Sequence, residues 1–218
     1  MIELKWSLVF DKIPSLLAGA GVTMYISLLS LLFGLILGII LALFRDSRWR
    51  LLSNFARFYI WVFRGTPLMV QAFLVYFGLP NLGISLSALP AGVIAMALNT
   101  GAYIAEIIRS GIHGVDKGQR EAAKALGMTP FKEMYRIAAP QATRICLLPL
   151  VNQFISTLKN TSILSAITLT ELTREGTLIA YNSFHYFEPY IAISVIYLIL
   201  TSCFTGLAGL IEKKMVRV

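Results

Sequence analysis

Long apolar runs broken by short charged clusters dominate the pattern of this chain. Crossing a bilayer as a helix takes about 20 mostly apolar residues. Five stretches meet that length, over about 16–44, 58–79, 88–108, 144–162 and 189–211. The first stops at Arg45, Arg48 and Arg50, and the last at Lys213 and Lys214. The second is interrupted by Arg64-Gly65-Thr66-Pro67. The pattern predicts an all-α integral membrane protein, a single domain over 1–218 with five transmembrane helices. Residues 163–187 are only moderately apolar and predict a short external or re-entrant helix. Thr168 and Glu171 stand at capping-box spacing for its start. Ser30, Gly34, Gly38 and Ala42 recur every four residues in the first run, a spacing that lets helix backbones approach closely. Packing inside the bundle is the expected use of that stripe.

Composition supports the class. The chain is 57% hydrophobic and 14% charged, where a soluble domain carries about 25% charged residues. The formal net charge of +8 is then a question of sidedness, because Lys and Arg accumulate on the cytoplasmic side of membrane proteins. With five spans and the N-terminus outside, the outer side holds only Lys5, Lys12 and Arg174, and Lys159 lies within the fourth span. Every other Lys and Arg falls inside. The expected orientation is N-terminus out, C-terminus cytosolic, with 113–136 as the longest cytosolic loop. The Glu3 and Asp11 that offset Lys5 and Lys12, and the length of the first apolar run, do not fit a cleavable signal. The cysteines, Cys146 and Cys203, lie in apolar runs. Neither they nor His113 and His185 have metal-ligand spacing.

The cytosolic loop is unlike the rest of the chain. Residues 119–126 (QREAAKAL) are strong helix formers. Gly127 stands where a left-handed glycine ends a helix. Thr129-Pro130 supplies an N-cap and a proline at the first helical position, with Lys132 where a capping box would have an acid. The reading is helix, sharp turn, helix. Ala122, Ala123 and Ala125 form a thin surface ringed by Arg120, Glu121 and Lys124.

The order Glu121-Ala122-Ala123, three residues, Gly127, nine residues, Ile137, two residues, Pro140 resembles the EAA loop of the permease subunits of bacterial ABC importers. Ile137-Ala138-Ala139-Pro140 departs mildly from the family's Ile-x-Leu-Pro. Three further runs resemble the polar-amino-acid branch: RGTPLMVQ at 64–71, GAYIAEIIRSG at 101–111, and KNTS at 159–162. The resemblance covers most of the chain. It implies a type I-like importer fold whose coupling helix docks into a cytosolic ATPase through Arg120, Glu121, Ala122, Ala123, Leu126 and Gly127. It also implies two ATPase subunits, a second permease copy, most simply an identical one, and an extracytoplasmic amino-acid-binding protein touching 80–87 and 170–188. The location implied is the bacterial cytoplasmic membrane, multi-pass. No Gly precedes a Lys, so the G-x-x-x-x-G-K-[ST] phosphate loop is missing; ATP and magnesium are expected on the partner. No cofactor and no nucleic acid is expected on this chain.

A lysine at mid-membrane costs about 2.5–3.5 kcal/mol on insertion scales. Lys159 lies roughly fourteen residues, about 21 Å, along the fourth span, followed by Asn160, Thr161 and Ser162. Asn99, Tyr103 and Glu106 share one face of the third span, with Thr100 beside them. Lys159, Glu106, Asn99, Thr100, Tyr103, Asn160 and Ser162 are the candidate substrate contacts, gripping the carboxylate and ammonium of a polar or basic amino acid. Competing readings are an Arg109–Glu106 pair within one helix and a Lys159 that snorkels outward. Arg64 reads as an anchor of the second helix, and Gln71 as an inter-helix hydrogen bond. An ATPase-independent channel or secondary transporter would need flux without a docking loop. An intramembrane enzyme would need a nucleophile–base pair or metal ligands that the sequence lacks.

Overall fold

Helices make up the regular structure of the computed structural model, which describes residues 4–216, with side chains to Leu210. Ten α-helices follow in chain order: α1 (Ser7–Phe10), α2 (Ile13–Arg45), α3 (Arg50–Gly65), α4 (Leu68–Phe73), α5 (Ala88–His113), α6 (Lys117–Ala125), α7 (Pro130–Glu133), α8 (Ala139–Asn160), α9 (Leu172–Ser183) and α10 (Phe187–Val216). Single π-helical segments extend α4 (Leu74–Gly78) and α7 (Met134–Ala138), and a 3₁₀ segment, Thr161–Ile167, extends α8.

The small-residue stripe of α2 lies against α5. Ser30, Gly34, Gly38 and Ala42 are all buried. A Cβ added at Gly38 would come within 2.6 Å of the Ile104 side chain, and one at Gly34 within 3.0 Å of Thr100. Any side chain at Gly38 would push the helices apart, so the stripe is the seam of the α2–α5 pair. Helix α5 is central: 67% of its most apolar stretch is buried, against 11% for α10. Helix α8 runs antiparallel along it. Cys146 Sγ donates to the Ile107 carbonyl at 3.3 Å, the Thr100 and Thr157 hydroxyls meet at 3.3 Å, and Gly92 faces Leu164.

Among the described residues, three helices are long and apolar enough to cross a membrane: α2, α5 and α10 over Phe187–Leu210. Two expected spans differ in form. The second is not one straight helix, since Arg50–Gly65 and Leu68–Leu82 meet at 105°. Pro67 pushes the residue before it out of the helical region, and Thr66 is extended (φ −117°, ψ 147°). The freed carbonyls are satisfied by side chains, as the membrane interior requires. Gln71 Nε2 donates to the Phe63 and Thr66 carbonyls, Asn99 Nδ2 donates to Phe63 O and Gln71 Oε1, and Thr66 Oγ1 donates to Val62 O. The fourth, α8, carries Gln141, Arg144, Asn152, Gln153 and Lys159 and is too polar to qualify by composition; its helix continues through Pro149.

Residues 163–187 form the 3₁₀ end and α9, packed on α2 and α10 through Leu16, Ala20, Leu172, Ile179 and Ile193. Their cap differs from the expectation. Thr168 has a left-handed backbone (φ 65°), and Glu171 is itself the N-cap, accepting from the Thr173 and Arg174 amides. The same carboxylate, wholly buried, accepts from Tyr197 Oη at 3.0 Å and Thr23 Oγ1 at 3.5 Å. It ties α9 to α10 and α2 at once.

Candidate functional site

The polar residues expected to line one path are divided among three places. Asn99 and Thr100 are buried in helix packing, Asn99 on the α3–α4 break and Thr100 against Thr157. Glu106 lies among arginines. It is hydrogen-bonded to Arg45 and ion-paired with Arg64 and Arg109, each at 3.8 Å. Tyr103 stacks under Arg64, whose guanidinium carbon is 5.4 Å from the ring centroid. Lys159, Asn160 and Ser162 sit at the far end of α8. Lys159 is exposed, Asn160 and Ser162 are partly exposed, and Ser162 Oγ donates back to the Lys159 carbonyl. From the Thr100–Thr157 contact, Glu106 lies six residues along α5 in one direction and Lys159 two along α8 in the other. Their separation along the bundle axis is about 12 Å at 1.5 Å per residue. The structure therefore does not pair Lys159 with Glu106.

A cavity of about 530 Å³ opens beside Glu106, lined by Arg45, Arg57, Arg64, Trp61, Tyr103 and Glu106, with Ile60 and Gly65. Three guanidiniums converge on one carboxylate, and Asp46 draws Arg109 (3.6 Å) and His113 (3.4 Å) aside. The wall is net positive and suits an anionic group. Arg45, Arg57 and Trp61 were not among the sequence candidates. Arg45 and Arg57 sit on the edges of apolar runs, where a charge reads as an end marker, Trp61 reads as one more apolar residue of the second run, and only the fold turns all three toward one space.

The loop between α5 and α8 is a compact projection. Asp116 caps α6, accepting from the Gln119 amide. Gly127 is left-handed (φ +72°). Gly127 N–H donates to Lys124 O at 2.9 Å, and Met128 N–H to Ala123 O at 3.1 Å; this pair of bonds is the Schellman turn. Thr129 caps α7 through the Lys132 amide. Arg120 is turned inward: its Nε donates to Glu133 at 2.6 Å, and Glu133 is buried. Ala123 is buried too. Glu121, Ala122 and Gly127 are exposed, as are Leu126 (78%), Phe131 (78%) and Tyr135 (71%), the last two with parallel rings. The projection thus carries an apolar tip with no partner in this chain. Phe131 and Tyr135 were not anticipated, although their i, i+4 spacing on one helical face was readable.

Residues 34–217 match the family described as binding-protein-dependent transport system inner membrane component. The chain belongs to this family. It is accordingly a multi-pass inner-membrane component of an ABC transport system. It is 39% identical over 215 residues to the arginine transport system permease protein ArtQ of Bacillus subtilis, covering 98% of each chain. It is 38% identical over 208 residues, 95% of each chain, to a Rickettsia conorii protein assigned as the glutamine transport system permease GlnP. Its fold superposes on the crystal structure of an amino acid ABC transporter with histidines at a TM-score of 0.94 and 39% identity, over 98% of this chain and 100% of that one. The architecture is that of type I importer permeases.

Proposed function

We propose that this chain is the membrane-spanning permease of an ATP-driven importer for polar amino acids, working as a pair of identical subunits. The observation that carries the coupling part is the projection at 117–135. An alanine-faced helix ends in a Schellman turn, is braced from behind by Arg120–Glu133, and presents Leu126, Phe131 and Tyr135. Rigid bracing behind an unpartnered apolar tip suits a lever that docks in a groove of a cytosolic ATPase, which holds ATP and magnesium. Nucleotide-driven movement of two such levers would bias a two-state permease between outward and inward access. Five spans are supported by α8, which matches α5 along its whole length, and by the bent α3–α4 pair taken as one. The charge asymmetry puts the N-terminus outside and the projection inside. An extracytoplasmic binding protein would meet 80–87 and 170–188.

For substrate, Tyr103 and Glu106 line the path at the arginine-rich cavity, and Lys159, Asn160 and Ser162 line it about 12 Å farther along the bundle axis. Asn99 and Thr100 hold the wall between them. Lys159 forms no ion pair among the described residues and would take a substrate carboxylate. Glu106 is already engaged by Arg45, Arg64 and Arg109, so a basic side chain would have to displace one of them. A neutral polar side chain, such as the glutamine named for one relative, fits this arrangement better than the arginine named for the other.

The test is mild affinity purification from the native membrane followed by intact-complex mass spectrometry. Two ATPases with two copies of this chain are expected. A second, different permease would end the identical-pair reading. Absence of any ATPase across several detergents, with flux persisting in its absence, would favour a self-sufficient channel or secondary transporter.

A further inference from the structure

A second polar cavity, of about 400 Å³, lies at the other end of the molecule, where α1 and the start of α2 meet α9. Its lining includes Lys12, Ser15, Glu175 and Asn182, with Leu8 and Leu178 on the apolar side. The Lys12 ammonium and the Glu175 carboxylate face the same space without forming an ion pair, and among the described residues none of these four side chains has a hydrogen-bond partner in the chain. Glu175 is held in place from behind: its Cγ lies 2.9 Å from where a Cβ on Gly19 would stand. Ile179 adds to that apolar lining. A separated cation and anion in a small cavity that also has an apolar lining complement a ligand with the same three parts.

We infer that this cavity binds the headgroup of a zwitterionic phospholipid with a primary ammonium, phosphatidylethanolamine, in the leaflet at the N-terminal end of α2. Lys12 and Ser15 take the phosphate. Glu175 and the Asn182 carbonyl accept from the ammonium, and the acyl chains lie along Leu8, Leu178 and Ile179. Phosphatidylcholine offers Glu175 no N–H donor, and phosphatidylglycerol offers it no cation. Charge-assisted hydrogen bonds are the strong ones, so the site discriminates by headgroup. The inference requires only that the chain sits in a bilayer, and its readout is lipid retention. Its failure would leave the transport reading untouched.

The experiment is native mass spectrometry of the full-length chain, delipidated in mild detergent and offered each of the three lipids. Phosphatidylethanolamine is expected to bind about ten-fold better than either other lipid, the low end of what one hydrogen bond to a charged group contributes. Glu175→Gln should erase that preference, and Lys12→Gln should weaken phosphatidylethanolamine and phosphatidylglycerol together. The swap Lys12→Glu with Glu175→Lys should not restore it, whereas a simple intrachain pair would be restored. Asn182→Leu, at an exposed position, tests the same ammonium contact if Glu175→Gln does not purify. Equal binding of the three lipids by the parent chain, or an undiminished preference in the Glu175 and Asn182 variants, would overturn the inference. So would displacement of the lipid by millimolar free glutamine, which would assign the cavity to a solute.

Discussion

Two carboxylates, Glu106 and Glu171, bear most of the polar organisation of the transmembrane bundle. Glu171 is wholly buried and accepts from four donors on α9, α10 and α2. Replacing it by Gln turns one acceptor oxygen into a donor facing donors. A buried polar group left unsatisfied costs about 1–3 kcal/mol, so Glu171→Gln should lower the thermal midpoint of the purified protein clearly, and Glu171→Ala more. An unchanged midpoint would show that the four contacts carry no stability. Glu106 holds Arg45 and Arg64 beside the cavity. Breaking a charge cluster by removing one member hurts more than removing a matched pair. Glu106→Gln alone should therefore impair stability and transport more than Glu106→Gln with Arg45→Gln. Unfolding of the two singles and the double should give a coupling of about 0.5–3 kcal/mol, the range for contacting residues. Additivity of the two would remove the functional weight given to the pair.

At the scale of elements, the α6–α7 projection and the broken α3–α4 pair are both built at helix ends. In the projection, a glycine at φ +72° lets α6 reverse while its last carbonyls stay bonded. A non-glycine residue in that conformation costs about 1–2 kcal/mol. Gly127→Val should leave the membrane helices folded and reduce substrate-stimulated ATP hydrolysis in the assembled transporter. If stimulation survives intact, the turn is not part of the coupling. In α3–α4, the break is legible from Gly65-Thr66-Pro67, but its repair is not. Gln71 was readable as an inter-helix bond. Asn99 was read as a cavity residue, and it serves the break because α5 crosses α3 at Phe63. The capping position likewise needed the fold: the spacing of Thr168 and Glu171 suits a box, but the chain leaves the 3₁₀ segment left-handed at Thr168 and Glu171 takes the cap.

For the whole molecule, the proposed topology is open to direct measurement. In a chain carrying Cys146→Ser and Cys203→Ser, single cysteines at Phe131 and Phe184, both strongly exposed, should react with a membrane-impermeant thiol reagent from opposite sides. Position 184 is expected to label in intact cells, and position 131 only in inverted vesicles. Labelling of both from one side would require a different number of spans.

Membrane class, the apolar spans, the expected sidedness and the α6–Gly127–Thr129 punctuation all follow from the sequence alone, because they depend on neighbours within a few turns: hydropathy summed along one helix, caps, and residues with special backbone freedom. The order of motifs also sufficed to point to the family. Only the tertiary structure decided which face each polar side chain serves. Asn99, Tyr103 and Glu106 share a stripe on α5, yet that stripe meets α3 at one level, α2 at another and the cavity at a third. Ion pairing and hydrogen bonding act over a few ångströms between residues up to 183 positions apart. Periodicity fixes a direction around a helix axis and says nothing of what stands opposite.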